Sequence, residues 1–315
     1  MQLINFQDYP VRHVLRDLLQ DKTTKQNIMF ATDAYSDSGI TPRTPITVDL
    51  LLGMDSLALQ PRVLKSLEEQ SQRTRNKAEV FTPSWICNKM NNNCDNVWFG
   101  RENVFNTEVE QGWVTNIGKI EFPKRKRWQR YVDSKRLEIT CGEAPYLVSR
   151  YDTTTAEIIP VGDRIGILDR KMRVVGENTV SEATWLNWTF RAFQSVYGYE
   201  FQGDNLLIAR INLLLTFADY LEDRWHREPT IKELKKLANI IVWNLWQMDG
   251  ITGTVPYGKP KTVMQQQNLF FDYEQGINDM EPETVDCKIH DWRGQRTITY
   301  RHIKEGRVGK GKDEK

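Results

Sequence analysis

The stretch VYGYEFQGDNLLIARINLLLTFADYLEDR, Val196 to Arg224, decides the reading of the fold. Its first five residues have the β-branched and aromatic character of a short buried strand, and that strand ends in an acid, Glu200. Apolar residues at 206, 207, 211, 214, 215, 218 and 221 then keep the 3.6-residue period of a long helix. Strand, glycine-containing turn, helix and a strand ending in an acid follow one another as in a nucleotide-binding α/β sheet. Ligands of such sheets lie beyond the carboxyl ends of the strands.

Upstream, Leu137 to Thr140 reads as a short strand broken by Cys141-Gly142-Glu143-Ala144-Pro145. Gly142 would let the backbone approach a ligand that a Cβ would block, and the Glu200 carboxylate can accept from both hydroxyls of a ribose. Downstream, NIIVWNLWQMDG predicts a strand ending near Asp249, an acceptor for an adenine amino group, while Asp291 in KIHDW is a rival strand-end acid. Between these landmarks, 152–178 predicts one or two hairpins. Thr179 and Ser181 open a helix to about Ser195, with Glu182 at capping-box spacing from Thr179, and Ile231 to Ala238 predicts another helix. Trp185, Trp188 and Phe190 read as core.

The first 75 residues read as a small α/β region, with a helix over Val11 to Gln20 and a strand in NIMFAT (Asn27 to Thr32). A helix near Pro61 would bury Val63, Leu64 and Leu67. In AEVFTP, Thr82 is a candidate N-cap and Pro83 a first helical residue for SWICNKMNNNC. Residues 95–130 read as an irregular excursion ending in KRKRWQR, residues 76–300 as the core, and 301–315 as a flexible basic tail.

Lys and Arg total 43 against 42 for Asp and Glu, a net charge of +1. Bulk coating of nucleic acid is thereby excluded, and any phosphate contact falls to a local cluster such as Lys124, Arg125, Lys126 and Arg127. The four cysteines and four histidines lack metal-ligand spacing, so no metal is expected. No apolar run reaches the roughly 20 residues of a membrane helix. The N-terminus MQLINFQDYPVRHVL is too polar for a secretory signal, and a cytoplasmic protein is expected.

Four elements in order resemble the cofactor-binding half of the gamma-type DNA adenine methyltransferases of restriction-modification systems. AEVFTP resembles their F-T-P element, and LEITCGEAPYL the signature L-D-P-A-C-G-S-G-x-F-L. VYGYEFQGDNLLIARINLL resembles V-x-G-x-E with its helix carrying Ala209 and Asn212, and NLWQMDGI resembles N-I-x-x-G-D-x-L. The resemblance implies an α/β, Rossmann-like class I methyltransferase core with S-adenosylmethionine as cofactor and double-stranded DNA as substrate. Phe81 and Thr82 would lie against the methionine portion. Glu138 and the turn Cys141, Gly142, Glu143 to Pro145 would cradle the amino-acid group, Glu200 the ribose and Asp249 the adenine amino group.

The chain departs from the family in three ways. Ala144 replaces the second glycine. About sixty residues separate Glu138 from Glu200, where a strand-helix-strand unit needs roughly thirty. The catalytic tetrapeptide N-P-P-Y is missing, and TVPYG (Thr254 to Gly258), with Pro256 and Tyr257, is its nearest approach. The core is therefore expected to be incomplete, with a second subunit supplying the tetrapeptide and target recognition. The alternative is a catalytically silent cofactor-binding or scaffold protein of a methyltransferase complex.

Overall fold

The computed structural model describes residues 3–54, 57, 59–65, 82–257 and 285–304. Helix α1 (Val11–Leu19) buries Val11, Val14, Leu15, Leu18 and Leu19 along one stripe. NIMFAT makes only isolated bridges, Gln20 with Asn27 and Met29 with Pro45. Lys25 and Ala31 at positive φ interrupt it. The Met29 amide donates instead to the Gln247 side chain (3.0 Å), whose amide returns a bond to the Met29 carbonyl (2.7 Å). This side-chain clamp adds to backbone bonds from Phe30 to Thr44, Ala31 to Pro42 and Ile46 to Ile28, and Leu15, Leu18, Ile28 and Phe30 share one apolar cluster with Leu206 and Leu214. Helix α2 (Val48–Leu52) follows, and Arg62–Leu64 forms a single 3₁₀ turn. Leu67 lies outside the described residues.

Helix α3 (Ser84–Phe99) begins one residue later than its sequence signals imply. Pro83 is the N-cap, and Asp152 accepts the Ser84 amide at 2.8 Å, so a remote carboxylate does the work expected of Thr82. The excursion over 95–130 contains a hairpin, β1 (Asn106–Val109) with β2 (Gly112–Thr115), and precedes α4 (Trp128–Val132).

After β3 (Arg136–Ile139), the region read as hairpins holds one isolated bridge, Tyr151 with Ile158, and then helix α5 (Ile167–Asn178). Leu168, Met172 and Val175 keep helical spacing, but Arg170 and Lys171 are also buried, at 2% and 0% exposure. Cations on the inner face hide the helical period. Helix α6 (Glu182–Phe193) is capped by Ser181, whereas the Thr179 hydroxyl donates back to the Val175 carbonyl and closes α5. Strand β4 (Val196–Glu200) and helix α7 (Gly203–Trp225) match the sequence reading. Helix α8 (Ile231–Asn244) runs six residues past Ala238, which leaves three for β5 (Leu245–Gln247). A second hairpin, β6 (Lys288–Asp291) with β7 (Arg296–Thr299), leads into α9 (Tyr300–Lys304). The start of the expected flexible tail is thus helical, and 305–315 lie outside the described residues.

Strands β3, β4 and β5 form a parallel sheet in that order, with Glu138 beside Gly198 and Glu200 beside Gln247. Parallel neighbours in sequence order, joined by helices, make this an α/β fold. The face that carries Val196 and Leu245 packs on the helices in the large core. On the other side Tyr197, Tyr199 and Trp246 pack with Cys287 and Ile289 of the second hairpin region. Leu137 and Ile139 stay 43% and 64% exposed there.

Candidate functional site

The carboxyl ends of the three strands form one rim. Gly142 adopts φ +50°, and its amide donates to Glu200 Oε2 at 3.0 Å. The other Glu200 oxygen accepts the Gln202 amide at 3.1 Å. A carboxylate has roughly four acceptor positions, and these two amides use it to fasten the turn after β3 to the turn after β4. A Cβ added at Gly142 would meet nothing within 4 Å, so the turn faces open space. Gly198 has the opposite role: a Cβ there would lie 2.9 Å from Cys141 Cβ. The missing side chain on β4 lets buried Cys141 nest against the strand, its amide donating to the Tyr199 carbonyl at 2.8 Å. Burial, with Glu138 and Glu200 adding to it, pushes the Cys141 thiol well up and keeps it protonated.

Glu138 is 8% exposed. Its Oε1 accepts a long bond from the Tyr146 amide (3.4 Å), and its Oε2 has no partner. Burial raises its carboxyl well above the ordinary range, the amides of Tyr146 and Leu147 oppose the rise, and the Glu200 charge adds to it. Asn212, 4% exposed, gives its amide to the Glu143 carbonyl and the Tyr151 hydroxyl, while its Oδ1 also lacks a partner. Two buried acceptors without donors therefore flank one turn. Glu143 itself is engaged, accepting the Arg62 amide at 2.6 Å and the Tyr151 hydroxyl at 3.0 Å. It ties the turn to the N-terminal segment.

Thr82 joins this group, since the Tyr146 hydroxyl lies within reach of the Thr82 and Cys87 side chains. Phe81 lies outside the described residues. Asp249 follows Met248, whose amide donates to the Glu200 carbonyl at 3.0 Å. Its Oδ1 accepts the amides of Ile251 (2.8 Å) and Thr252 (3.2 Å) and so shapes its own loop. Its rival Asp291 pairs with Lys135 (3.0 Å), one residue before β3, at the amino end of the sheet. Geometry separates the two acids.

Pro256 and Tyr257 end the loop that bridges back to Asp249 through Thr254. The Tyr257 ring meets Phe201 edge-on at 5.6 Å, and the Arg43 guanidinium lies 4.9 Å from the centre of the same ring. This aromatic–cation group adjoins the rim through Phe201, which directly follows Glu200. Lys124, Arg125, Lys126 and Arg127 are exposed but remote. Lys126 donates to the Trp98 carbonyl at the far end of α3 from Thr82, a helix of 16 residues and thus about 24 Å long.

Sequence reasoning missed the roles of Asn212, Phe201 and Arg43. The first two sit in the quoted motif and were open to notice, whereas Arg43 arrives only through tertiary folding. A large surface groove, about 1230 Å³, lies elsewhere, with Trp85, Trp113 and Ile158 among its walls. Some of its polar groups are matched within the groove: Asp163 accepts from Thr115 (2.8 Å), and Arg173 pairs with Glu177 (2.8 Å). Volume favours the groove, but the unmet acceptors favour the rim.

Comparisons with protein-family models, curated proteins and solved structures return no match. Among the described residues, no three metal-ligating side chains cluster, and no helix is long and apolar enough to cross a membrane.

Proposed function

We propose that this chain is the S-adenosylmethionine-binding subunit of a gamma-type DNA adenine methyltransferase from a restriction-modification system, with a Rossmann-like core. A partner subunit supplies the N-P-P-Y element and target recognition. The observation that carries the reading is the rim itself: a left-handed glycine turn facing open space, hydrogen-bonded to the strand-end acid Glu200, beside the unpartnered Oε2 of Glu138.

Those features fit the cofactor. The Glu138 carboxylate receives the ammonium of the methionine portion, which gives its orphaned oxygen a charged donor. The Gly142 turn allows close approach, and Thr82 and Tyr146 line the same end. Glu200 receives the ribose hydroxyls, and Asp249 uses Oδ2 for the adenine amino group, because Oδ1 already holds its loop. When bound, S-adenosylmethionine supplies an electrophilic methyl group on a sulfonium. The protein's contribution is placement of that group in line with the target amine. Tyr257, Phe201 and Arg43 offer a flat surface for a base beside this rim. Lys124 to Arg127, near the far end of α3, contact phosphate along the duplex.

Calorimetric titration of the whole chain with S-adenosylmethionine tests the reading, with saturable one-site heat expected. Absence of heat from folded protein overturns it. Methyl transfer to DNA by this chain alone would remove the partner from the proposal. The missing tetrapeptide favours a second reading, a catalytically silent cofactor-binding scaffold; binding without transfer in the presence of the partner would select it.

A further inference from the structure

Away from the rim, the amino end of the sheet carries an excess of exposed cations. Asp133, Lys135, Arg191 and Arg293 line one small hollow with Ser195 and Trp292. Arg191 grips Asp133 with two nitrogens (3.0 and 2.9 Å), and Arg293 reaches the same Oδ2 at 3.0 Å. Beside it, Asp291 holds Lys135 at 3.0 Å and Arg296 at 3.9 Å. Each aspartate thus serves two cations and leaves one positive charge in surplus. The four cationic side chains are 41% to 54% exposed, the two acids 17% and 15%. Anything approaching from solvent meets the positive groups first.

A further charge lies beneath them. Lys171 is 0% exposed, and its nitrogen donates to the Val132 and Ser134 carbonyls and to the Ser195 hydroxyl that lines the hollow. Three acceptors call for all three protons of the ammonium form, yet among the described residues no carboxylate pairs with it. Burial opposes that charge and Arg136 adds to the opposition, while Asp95 and Asp133 favour it from beyond contact. An anion across the hollow supplies the missing counter-charge.

Lys124 to Arg127 belong to the same end of the molecule, because little more than α4 separates that run from Lys135. The Arg191 guanidinium lies 5.9 Å from the centre of the Trp188 ring, and Trp188 packs edge-on against Trp128 at 4.6 Å. The two groups of cations thus form one band. Its rings pack on each other and on the core, so the band offers contacts to phosphate but no open platform for a splayed base. A duplex, with one phosphate charge per about 1.7 Å of axis, matches such a band, whereas a lone phosphate fills only part of it. We propose that the cations gathered on Asp133 and Asp291 bind the phosphate backbone of duplex DNA, continuous with Lys124 to Arg127 and indifferent to base sequence. The choice of a duplex rests on the function proposed above; the arrangement of charge stands without the cofactor.

Fluorescence anisotropy of the whole chain with labelled DNA duplexes of unrelated sequence, from about 50 to 200 mM salt, tests the proposal. Binding that falls steeply with salt and equally for every sequence is expected. Lys135→Gln with Arg293→Gln leaves each aspartate one partner, Arg191 or Arg296. This double variant should bind at least about tenfold more weakly at the low-salt end, and the slope of log affinity against log salt should shrink by about 2. Its circular dichroism should not change, because both positions are about half exposed. Lys232→Gln with Lys235→Gln removes the same charge from exposed positions near the start of α8 and should alter neither affinity nor slope. If the first pair fails to fold, Arg296→Gln alone should shrink the slope by about 1. No duplex binding at low salt, an unchanged slope in the first variant, or an equal loss in the α8 control overturns the proposal. Tighter binding of a single strand, or of vesicles rich in anionic phospholipid, overturns it too. Calorimetry with S-adenosylmethionine on the same samples reads the rim separately, so failure of one reading is distinguished from failure of the other.

Discussion

Two buried polar clusters flank the sheet, and they are built differently. Between α3 and α5, Arg170 donates to Asp95 (2.7 Å), Asn88 (2.8 Å), Asn92 (2.7 Å) and the Ile165 carbonyl (3.1 Å). Tyr131 adds its hydroxyl to Asp95, and Asn106 exchanges bonds with Asn88. At the rim, Glu138 and Asn212 are equally buried, yet each keeps an acceptor without a donor. Every nitrogen of the Arg170 guanidinium meets an acceptor, whereas each unmet buried group costs about 1–3 kcal/mol. The two deficits at the rim are what the proposed ligand, which brings donors, would meet.

The largest effect should come from the saturated cluster. Asp95→Ala leaves the Arg170 guanidinium buried without its carboxylate, at a cost of about 3–5 kcal/mol. Denaturant titration should show the extrapolated unfolding free energy falling by that amount, while cofactor affinity per folded molecule stays the same. A change below about 1 kcal/mol would mean that Arg170 finds water and that the cluster is not the closed one described.

Glu200→Ala should come next. It strands the Gly142 and Gln202 amides and removes the ribose acceptor, so binding of S-adenosylmethionine should weaken by about 1–3 kcal/mol. Unchanged calorimetric affinity would take Glu200 out of the site. Both clusters would then be structural.

Glu138→Gln separates them by sign. Burial raises the folded-state pKa of Glu138 above its unfolded value. The folded chain therefore holds a proton that the unfolded chain releases. Stability from this group is fully present below the unfolded carboxyl pKa of about 4.3 and declines as pH rises through the folded value. Glutamine removes that decline, so the variant should be the more stable protein at neutral pH. Binding should nevertheless weaken about tenfold, roughly 1.4 kcal/mol, because the arriving ammonium expels the Glu138 proton to solvent and pairs with the carboxylate so formed, which glutamine cannot supply. If stability and affinity fall together, Glu138 is an ordinary core residue.

The rim was legible in the sequence because its parts are local. Gly142, Glu200 and Asp249 sit at strand ends, and the alternation of strand and helix periods marks those ends without reference to the rest of the chain. Strand β4 and helix α7 could be read directly for the same reason. Helix α5 could not, since Arg170 and Lys171 point inward and their cations mask the apolar stripe. The N-cap of α3 was misassigned because Asp152, remote in sequence, supplies the acceptor. NIMFAT has strand composition and bonds to 42–46, yet Met29 meets the Gln247 side chain where a ladder would continue. In each case a long-range polar contact overrode a local pattern, and composition carries no trace of such contacts.

The smallest effect tests the turn itself. Ala144 occupies the position of the family's second glycine and adopts φ +66° with its methyl group fully buried. A non-glycine residue in the left-handed region is strained by roughly 1–2 kcal/mol, while burial of one methyl group returns about 0.8 kcal/mol. Ala144→Gly therefore exchanges two nearly equal terms, and stability should move by less than about 1 kcal/mol in either direction. Thermal unfolding would measure it. Affinity for S-adenosylmethionine should not change, because the Gly142 amide, its bond to Glu200 and the open space before it are all set upstream of Ala144. A large gain in affinity would mean that the alanine holds the turn away from its ligand, and the resemblance would then describe an ancestor's site more than this one.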